Sequence, residues 1–246
     1  MVAESIPEDV PVSAPLRRRG GSYWFDIVFG RLLPAIFFSV FIVDKVLLVQ
    51  ASLDDLTRHR QPSDYLAALN QLLGLLYFTM LVVLYVVRLP KRAGDGRPLI
   101  ILASFFGSFS VILASFLPGV PIRQDLQGFS TGMVLVGLGY TVWALAYLRR
   151  SFSIMPEARR LVTGGPYGLS RHPLYLGEGT AAIGLNVPTV ALPGLLVLTA
   201  FLIAQYIRIR AEERVLEREF PEYGEYRHRV PRYLPTPASI ARLLRR

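Results

Sequence analysis

Apolar residues in this chain gather in long unbroken runs, without the alternation with polar residues that marks a half-buried helix or strand. Four runs, residues 27–53, 65–89, 98–118 and 126–148, are long enough to cross a bilayer, which takes about 20 residues at 1.5 Å each. A fifth, residues 174–207, is interrupted by Pro188 and Pro193. Proline ends helices and biases the preceding residue toward extended backbone. That run therefore reads as a helical hairpin of two arms, each about 14 residues and ~21 Å long. Such arms are short for a ~30 Å crossing, so they tilt, borrow flanking residues or re-enter, and the hairpin begins and ends on one side. The pattern predicts an all-α, multi-pass integral membrane protein with about six membrane-embedded helical segments, the C-terminal hairpin among them.

Around these segments the chain divides simply. Residues 1–22, with Pro7, Pro11, Pro15, Gly20 and Gly21, read as a flexible tail. No apolar core precedes Arg17-Arg18-Arg19, unlike a cleaved signal peptide. Residues 23–148 hold the four spans, residues 149–235 differ in character and contain the hairpin, and residues 236–246 form a basic tail.

Composition agrees. Hydrophobic residues make up 52% of the 246 and charged residues 18%, against about 25% charged in soluble domains. The absence of cysteine excludes a disulfide framework, a thiolate zinc site and a cysteine nucleophile. The net charge of +9 is almost wholly arginine, Lys45 and Lys91 being the only lysines. A cytoplasmic amino terminus leaves only Arg58, Arg60 and Arg123 of the 27 cations in outer loops, so the positive-inside rule places both termini in the cytoplasm. That asymmetry accounts for the basic residues without nucleic acid. Asp44 and Lys45 read as lying toward the outer end of a long first helix, where a lysine snorkels. Gly132, Gly137 and Gly139 fall within a span with no strand before them, so they read as close helix packing and not as a nucleotide loop.

The chemistry lies in residues 149–235. Gly164-Gly165-Pro166 makes a turn in which glycine supplies positive φ. His172-Pro173 enforces an extended entry into a helix starting near Leu174, whose exposed N–H groups favour an anion. Arg208 and Glu212 are four apart and share one helix face just beyond the apolar run. A guanidinium grips a carboxylate in a fork, and a carboxylate accepts from an ammonium or hydroxyl. The pair thus suits a zwitterionic cofactor beside an acidic substrate. Standing alone, such a pair is most often a surface ion pair, and one His-Pro a loop. His59, His172 and His228 are dispersed and show no metal-ligand spacing.

Together, Gly165-Pro166-Tyr167, Arg171-His172-Pro173-Leu174-Tyr175, Glu212-Glu213, Tyr223, Tyr226 and Arg229-Val230-Pro231 resemble the carboxyl-terminal signature of the isoprenylcysteine carboxyl methyltransferases, which related membrane phospholipid methyltransferases share. The resemblance covers about a third of the chain and extends to Ser151-Phe152-Ser153 and Pro156-Glu157-Ala158-Arg159. It implies methyl transfer from S-adenosylmethionine to a lipophilic or prenylated acceptor, drawn from the bilayer to the cytosolic face. It places cofactor contacts at Arg159, Arg160, Leu161 and Val162, largely through backbone, and at Tyr167, His172, Pro173, Leu174, Tyr175 and Glu212. Arg208 becomes the substrate-side arginine, with Arg171, Arg208 and Glu212 around the reacting centre, and no metal is implied. The Phe220-Pro221-Glu222-Tyr223 stretch is one residue shorter than the family pattern, and the family's glutamine upstream of the cofactor strand has no clear counterpart near Ser153.

Two other readings remain open at this point: a nicotinamide-dependent sterol- or enone-type membrane reductase, and a non-catalytic membrane scaffold. In the reductases the similar ending more often continues Gly-Asp, whereas Gly177-Glu178 stands here. The preference for arginine over lysine points to a GC-rich bacterial genome, and hence to a bacterial plasma membrane.

Overall fold

The structure, a computed structural model, describes residues 26–114, 124–188 and 192–244. The tail expected at residues 1–22, the end of the third span and the tip of the hairpin lie outside the described residues. A π-helical turn, Asp26–Leu32, runs into α1 (Leu33–Arg58). The chain returns in α2 (Pro62–Val87), whose start is closed by a capping box between Gln61 and Asp64. A two-residue strand β1 (Ala93–Gly94) precedes α3 (Pro98–Ala114), and α4 (Gln127–Leu148) follows. After α4 come β2 (Glu157–Ala158), the short α5 (Pro166–Leu169), α6 (Pro173–Asn186), α7 (Leu192–Glu219), α8 (Tyr223–Arg229) and α9 (Pro237–Leu244).

The all-α multi-pass architecture is as the sequence predicts. Among the described residues four helices are long and apolar enough to cross a membrane, Gly30–Arg58, Pro62–Val87, Gln127–Ser151 and Leu192–Glu219. The hairpin differs from expectation. Its first arm has the predicted 14 residues, but the second is one helix of 28. Pro193 breaks nothing, because in the first turn of α7 its missing N–H has no intrahelical partner to lose. The helix therefore continues past Arg208 and Glu212 to Glu219. The basic tail also departs from expectation: Thr236 and Ser239 bond each other's backbone N–H groups and start α9, which packs on α5.

The helices associate as three pairs, α1 with α2, α4 with α6 and α3 with α7, and α2 joins α4. The α4–α6 seam is backbone against backbone. A Cβ on Gly137 would lie 2.5 Å from the Ala181 nitrogen, and one on Gly177 2.3 Å from Thr141 Oγ1. Of the three span glycines expected to pack closely, Gly137 does so. Gly132 has open space around it and Gly139 nears only Leu73. Leu33, Ile36, Val40, Val43 and Leu47 of α1 stay exposed, as suits a face against lipid.

Lys45 reaches across to α2. It sits midway along α1, its stem packs into a notch at Gly74 of α2, and its Nζ donates to Gln71 Oε1 at 3.0 Å. At the end of the bundle where α2 finishes, β1 and β2 pair antiparallel with Ala93 opposite Ala158. That pairing ties the α2–α3 connection to the segment after α4, and so braces the region described next.

Candidate functional site

The feet of α6 and α7 meet at the β1–β2 end of the bundle. His172 is the N-cap of α6 and is buried; its backbone, at φ −128° and ψ 55°, is neither helical nor the extended entry expected, and Pro173 occupies the first turn. One turn on, the Tyr175 hydroxyl donates to Glu212 Oε2 at 2.8 Å. The neighbouring Glu213 is a hub. Its Oε1 lies 3.2 Å from His172 Nε2 and 2.8 Å from Arg171, and Arg232 grips both oxygens at 3.1 and 2.5 Å. Burial alone would raise this carboxyl; the bonds from His172 and Arg232 and the charge of Arg171 outweigh it and hold the pKa at about 2. Glu213 therefore ties three segments together as a fixed anion: α7, the link before α6 and the stretch after α8.

An open cleft of about 680 Å³, counted out to solvent, lies beside this junction. Arg160, Leu161, Val162, Tyr167, Arg171, His172, Leu174, Tyr175 and Glu212 line it, with Leu148, Ser153 and Met155. Gly165 caps α5, which carries Tyr167 to the cleft. Its φ is +55°, and a Cβ there would fall 2.3 Å from the Tyr147 ring, so backbone and space both demand glycine. Behind it the Tyr226 hydroxyl donates to the Tyr167 carbonyl at 2.8 Å. Burial pushes the Tyr167, Tyr223 and Tyr226 hydroxyls above their usual range, so all three stay neutral.

Arg208 occupies the other side of Tyr175. Its guanidinium stacks 4.9 Å from the centre of that ring, donates to the Ile154 carbonyl at 3.1 Å and to Gln205 Oε1, and is buried. Gln205 in turn donates to Glu178 Oε2 at 2.7 Å. Arg208 Nε is buried without a hydrogen-bond partner. Gly107 of α3 leaves the room this requires, since a Cβ there would stand 3.1 Å from an Arg208 nitrogen. Arg208 and Glu178 face a second cavity, in the middle of the bundle.

Most residues singled out in the sequence thus share one cleft. Arg159 and Pro173 do not. The Arg159 guanidinium is turned away, donating to the Leu89 carbonyl and to Glu157 Oε2 at 2.5 Å, and Pro173 is packed inside. Arg208 belongs to the adjoining cavity, one helical turn from Glu212, and Arg171 is engaged with Glu213. Sequence reasoning passed over Glu178 and Gln205, although a carboxylate inside an apolar run is itself a signal. It also did not foresee that Glu213 meets Arg232, because that meeting depends on tertiary folding. Among the described residues no group of three or more His, Asp or Glu stands close enough to hold a metal ion.

Fold and site define the class: a multi-pass helical membrane protein with a polar cleft at one bundle end that abuts an intramembrane cavity. Known proteins match parts of this chain. A family model described as phospholipid methyltransferase matches residues 127–223. The chain is 32% identical over 130 residues to protein-S-isoprenylcysteine O-methyltransferase B of Arabidopsis thaliana, covering 49% of this chain and 64% of that protein. It is 34% identical over 130 residues to the nickel-cobalt-cadmium resistance protein NccN of Alcaligenes xylosoxydans xylosoxydans, covering 51% and 60%. It is 36% identical over 129 residues to the cobalt-zinc-cadmium resistance protein CzcN of Cupriavidus metallidurans, covering 50% and 58%. The chain thus spans about three fifths of the length of these relatives. The resemblance read from the sequence is borne out: residues 127–223 match the phospholipid methyltransferase family model, and an isoprenylcysteine O-methyltransferase is among the relatives.

Proposed function

We propose that this protein transfers a methyl group from S-adenosylmethionine to the carboxylate of a lipophilic acceptor at the cytosolic membrane face, with residues 149–235 as the cofactor-binding and catalytic segment. The observation that carries the reading is the position of Tyr175: its hydroxyl holds Glu212 in the cleft while its ring carries Arg208 in the cavity. A cofactor site and an acceptor site then share one wall.

The residues fit that cofactor. Glu212 accepts from an ammonium or hydroxyl, Leu161, Val162 and Leu148 offer apolar contact to a base, and the Arg160–Val162 backbone is available to polar edges. When bound, S-adenosylmethionine supplies an electrophilic methyl on a sulfonium. A carbon–oxygen bond forms as the carbon–sulfur bond breaks, so this chain has only to align the partners and keep water away. Arg208, with its unpartnered buried Nε, grips and aims the acceptor carboxylate. A carboxylate needs no general base. An amine would have to lose a proton first. The excess of cations at the site end of the chain orients that end, and both termini, toward the cytosol of a bacterial plasma membrane.

Calorimetry of the detergent-purified protein with S-adenosylmethionine and, separately, NADPH tests the reading. S-adenosylmethionine alone should bind. Tight binding of NADPH alone would overturn the proposal in favour of a membrane reductase.

A further inference from the structure

The central cavity is enclosed by helices from all three pairs and is polar at both ends. Arg208 and Glu178 mark the end next to the cleft, and Lys45 and Asn70 line the other, within the apolar zone. Its α6 wall runs from Glu178 to Leu185 and its α2 wall from Asn70 to Leu81, which at 1.5 Å per residue separates the two ends by roughly 10 to 16 Å. Phe38, Phe78 and Phe201 lie between.

The charges do not balance locally. At the cleft end Gln205 bridges Arg208 to Glu178 by hydrogen bonds to both, so cation and carboxylate offset each other. At the far end Lys45 has one acceptor among the described residues, Gln71 Oε1, for an ammonium with three donors. Among the described residues the cavity is lined by two basic side chains, Arg208 and Lys45, and one acidic one, Glu178, which sits with Arg208 and leaves Lys45 as the basic group at the other end. Its packing is specific: Gly74 opens the notch that lets the stem cross from α1 toward α2, Lys45 Cδ standing 3.3 Å from where a Cβ would be. A cation at this depth is costly without a partner and marks a ligand site.

We propose that Lys45 is a specificity-determining residue that receives an anionic group at the distal end of the acceptor, so that the acceptor is an amphiphile with a polar group at each end of an apolar chain. The inference rests on the methyl-transfer reading for the role of Arg208, but the Lys45 subsite stands on its own geometry.

The probes are α,ω-dicarboxylic acids and monocarboxylic acids in matched, graded chain lengths, titrated into the full chain in lipid nanodiscs. The wild type should bind a diacid of one optimal length about tenfold or more tighter than the matching monoacid, the scale expected of a buried charge pair. Lys45→Met should abolish that preference and Lys45→Arg should keep it. Equal binding of monoacid and diacid, no optimal length in the wild type, or a preference that survives Lys45→Met would each overturn the proposal. If Lys45→Met fails to fold, the length series on the wild type decides alone. A Lys45-dependent diacid preference with no methyl ester formed would remove the proposed reaction and leave this site standing. Methylation of monoacid and diacid alike, indifferent to Lys45, would do the reverse.

Discussion

Tyr175 on the first turn of α6 and Glu212 on α7 meet at 2.8 Å across 37 residues of chain, the phenol donating to the carboxylate. The contact closes the foot of the hairpin and fixes which Glu212 oxygen remains for a ligand. It also separates the two adjacent glutamates by task, since Glu213 spends its oxygens on Arg171, His172 and Arg232.

Cofactor affinity should follow this division. Glu212→Ala should weaken S-adenosylmethionine binding by about 1–3 kcal/mol, the cost of leaving a polar ligand group unpaired. Tyr175→Phe removes only the brace, so its loss should be nearer 1 kcal/mol. Isothermal titration measures both, and an unchanged affinity in Glu212→Ala with the fold intact would take Glu212 out of the cofactor site.

Glu213 should govern stability instead. Glu213→Ala strands Arg171 and His172, both largely buried, and should cost about 3 kcal/mol or more of unfolding free energy. The pH dependence has a definite sign. The folded pKa, about 2, is below the unfolded carboxyl's, which is about 4.3, so the contribution is complete above the unfolded value. It is lost as pH falls toward the folded one. Thermal unfolding in detergent across that acid window should show a steep limb in the wild type and a flatter one in Glu213→Gln.

The α4–α6 seam sets the floor of the cleft through Leu148 and Leu174. Gly137→Ala puts a methyl against the Ala181 backbone, which no side-chain rotation relieves. It should lower stability by about 1–3 kcal/mol, as overpacking does. Gly132→Ala, where nothing lies within 4 Å, should be neutral. Equal melting temperatures for the two variants would contradict the seam.

Orientation is open to direct labelling, since the chain has no native cysteine to interfere. Cysteine at Ser63, in the first turn of α2, should react with an impermeant reagent in intact cells, whereas cysteine at Arg242 of α9 should be protected. The opposite pattern would invert the positive-inside assignment.

What was legible in the sequence was local or periodic. Arg208 and Glu212 share a face because the helix repeat puts them there, and Gly165 announced a positive φ that the structure shows as +55°. Contacts that depend on how helices are rotated against each other were not legible. The packing of the Lys45 stem was not legible because nothing in α1 reveals the Gly74 notch opposite it. Pro193 looked like a breaker because an apolar run does not show where the helix containing it begins. Arg232 sits 19 residues beyond Glu213, and only the turn through α8 brings it back.

Arg208 carries the sharpest prediction. Its guanidinium is held on three sides, by Gln205, the Ile154 carbonyl and the Tyr175 ring, with Nε left over. Lysine keeps the charge but cannot span those partners while presenting a fork to a carboxylate. Arg208→Lys should therefore lose about 10²-fold in turnover, since a small misplacement of the acceptor is that costly. S-adenosylmethionine affinity should change by less than roughly twofold, because the residue faces the cavity and not the cleft. A methyl-transfer assay on a prenylated thio-acid, run beside calorimetry, reads both quantities. If Arg208→Lys abolished cofactor binding as thoroughly as Glu212→Ala, the two sides of Tyr175 would not be separate sites. If it kept full turnover, the fork would not be what aims the acceptor.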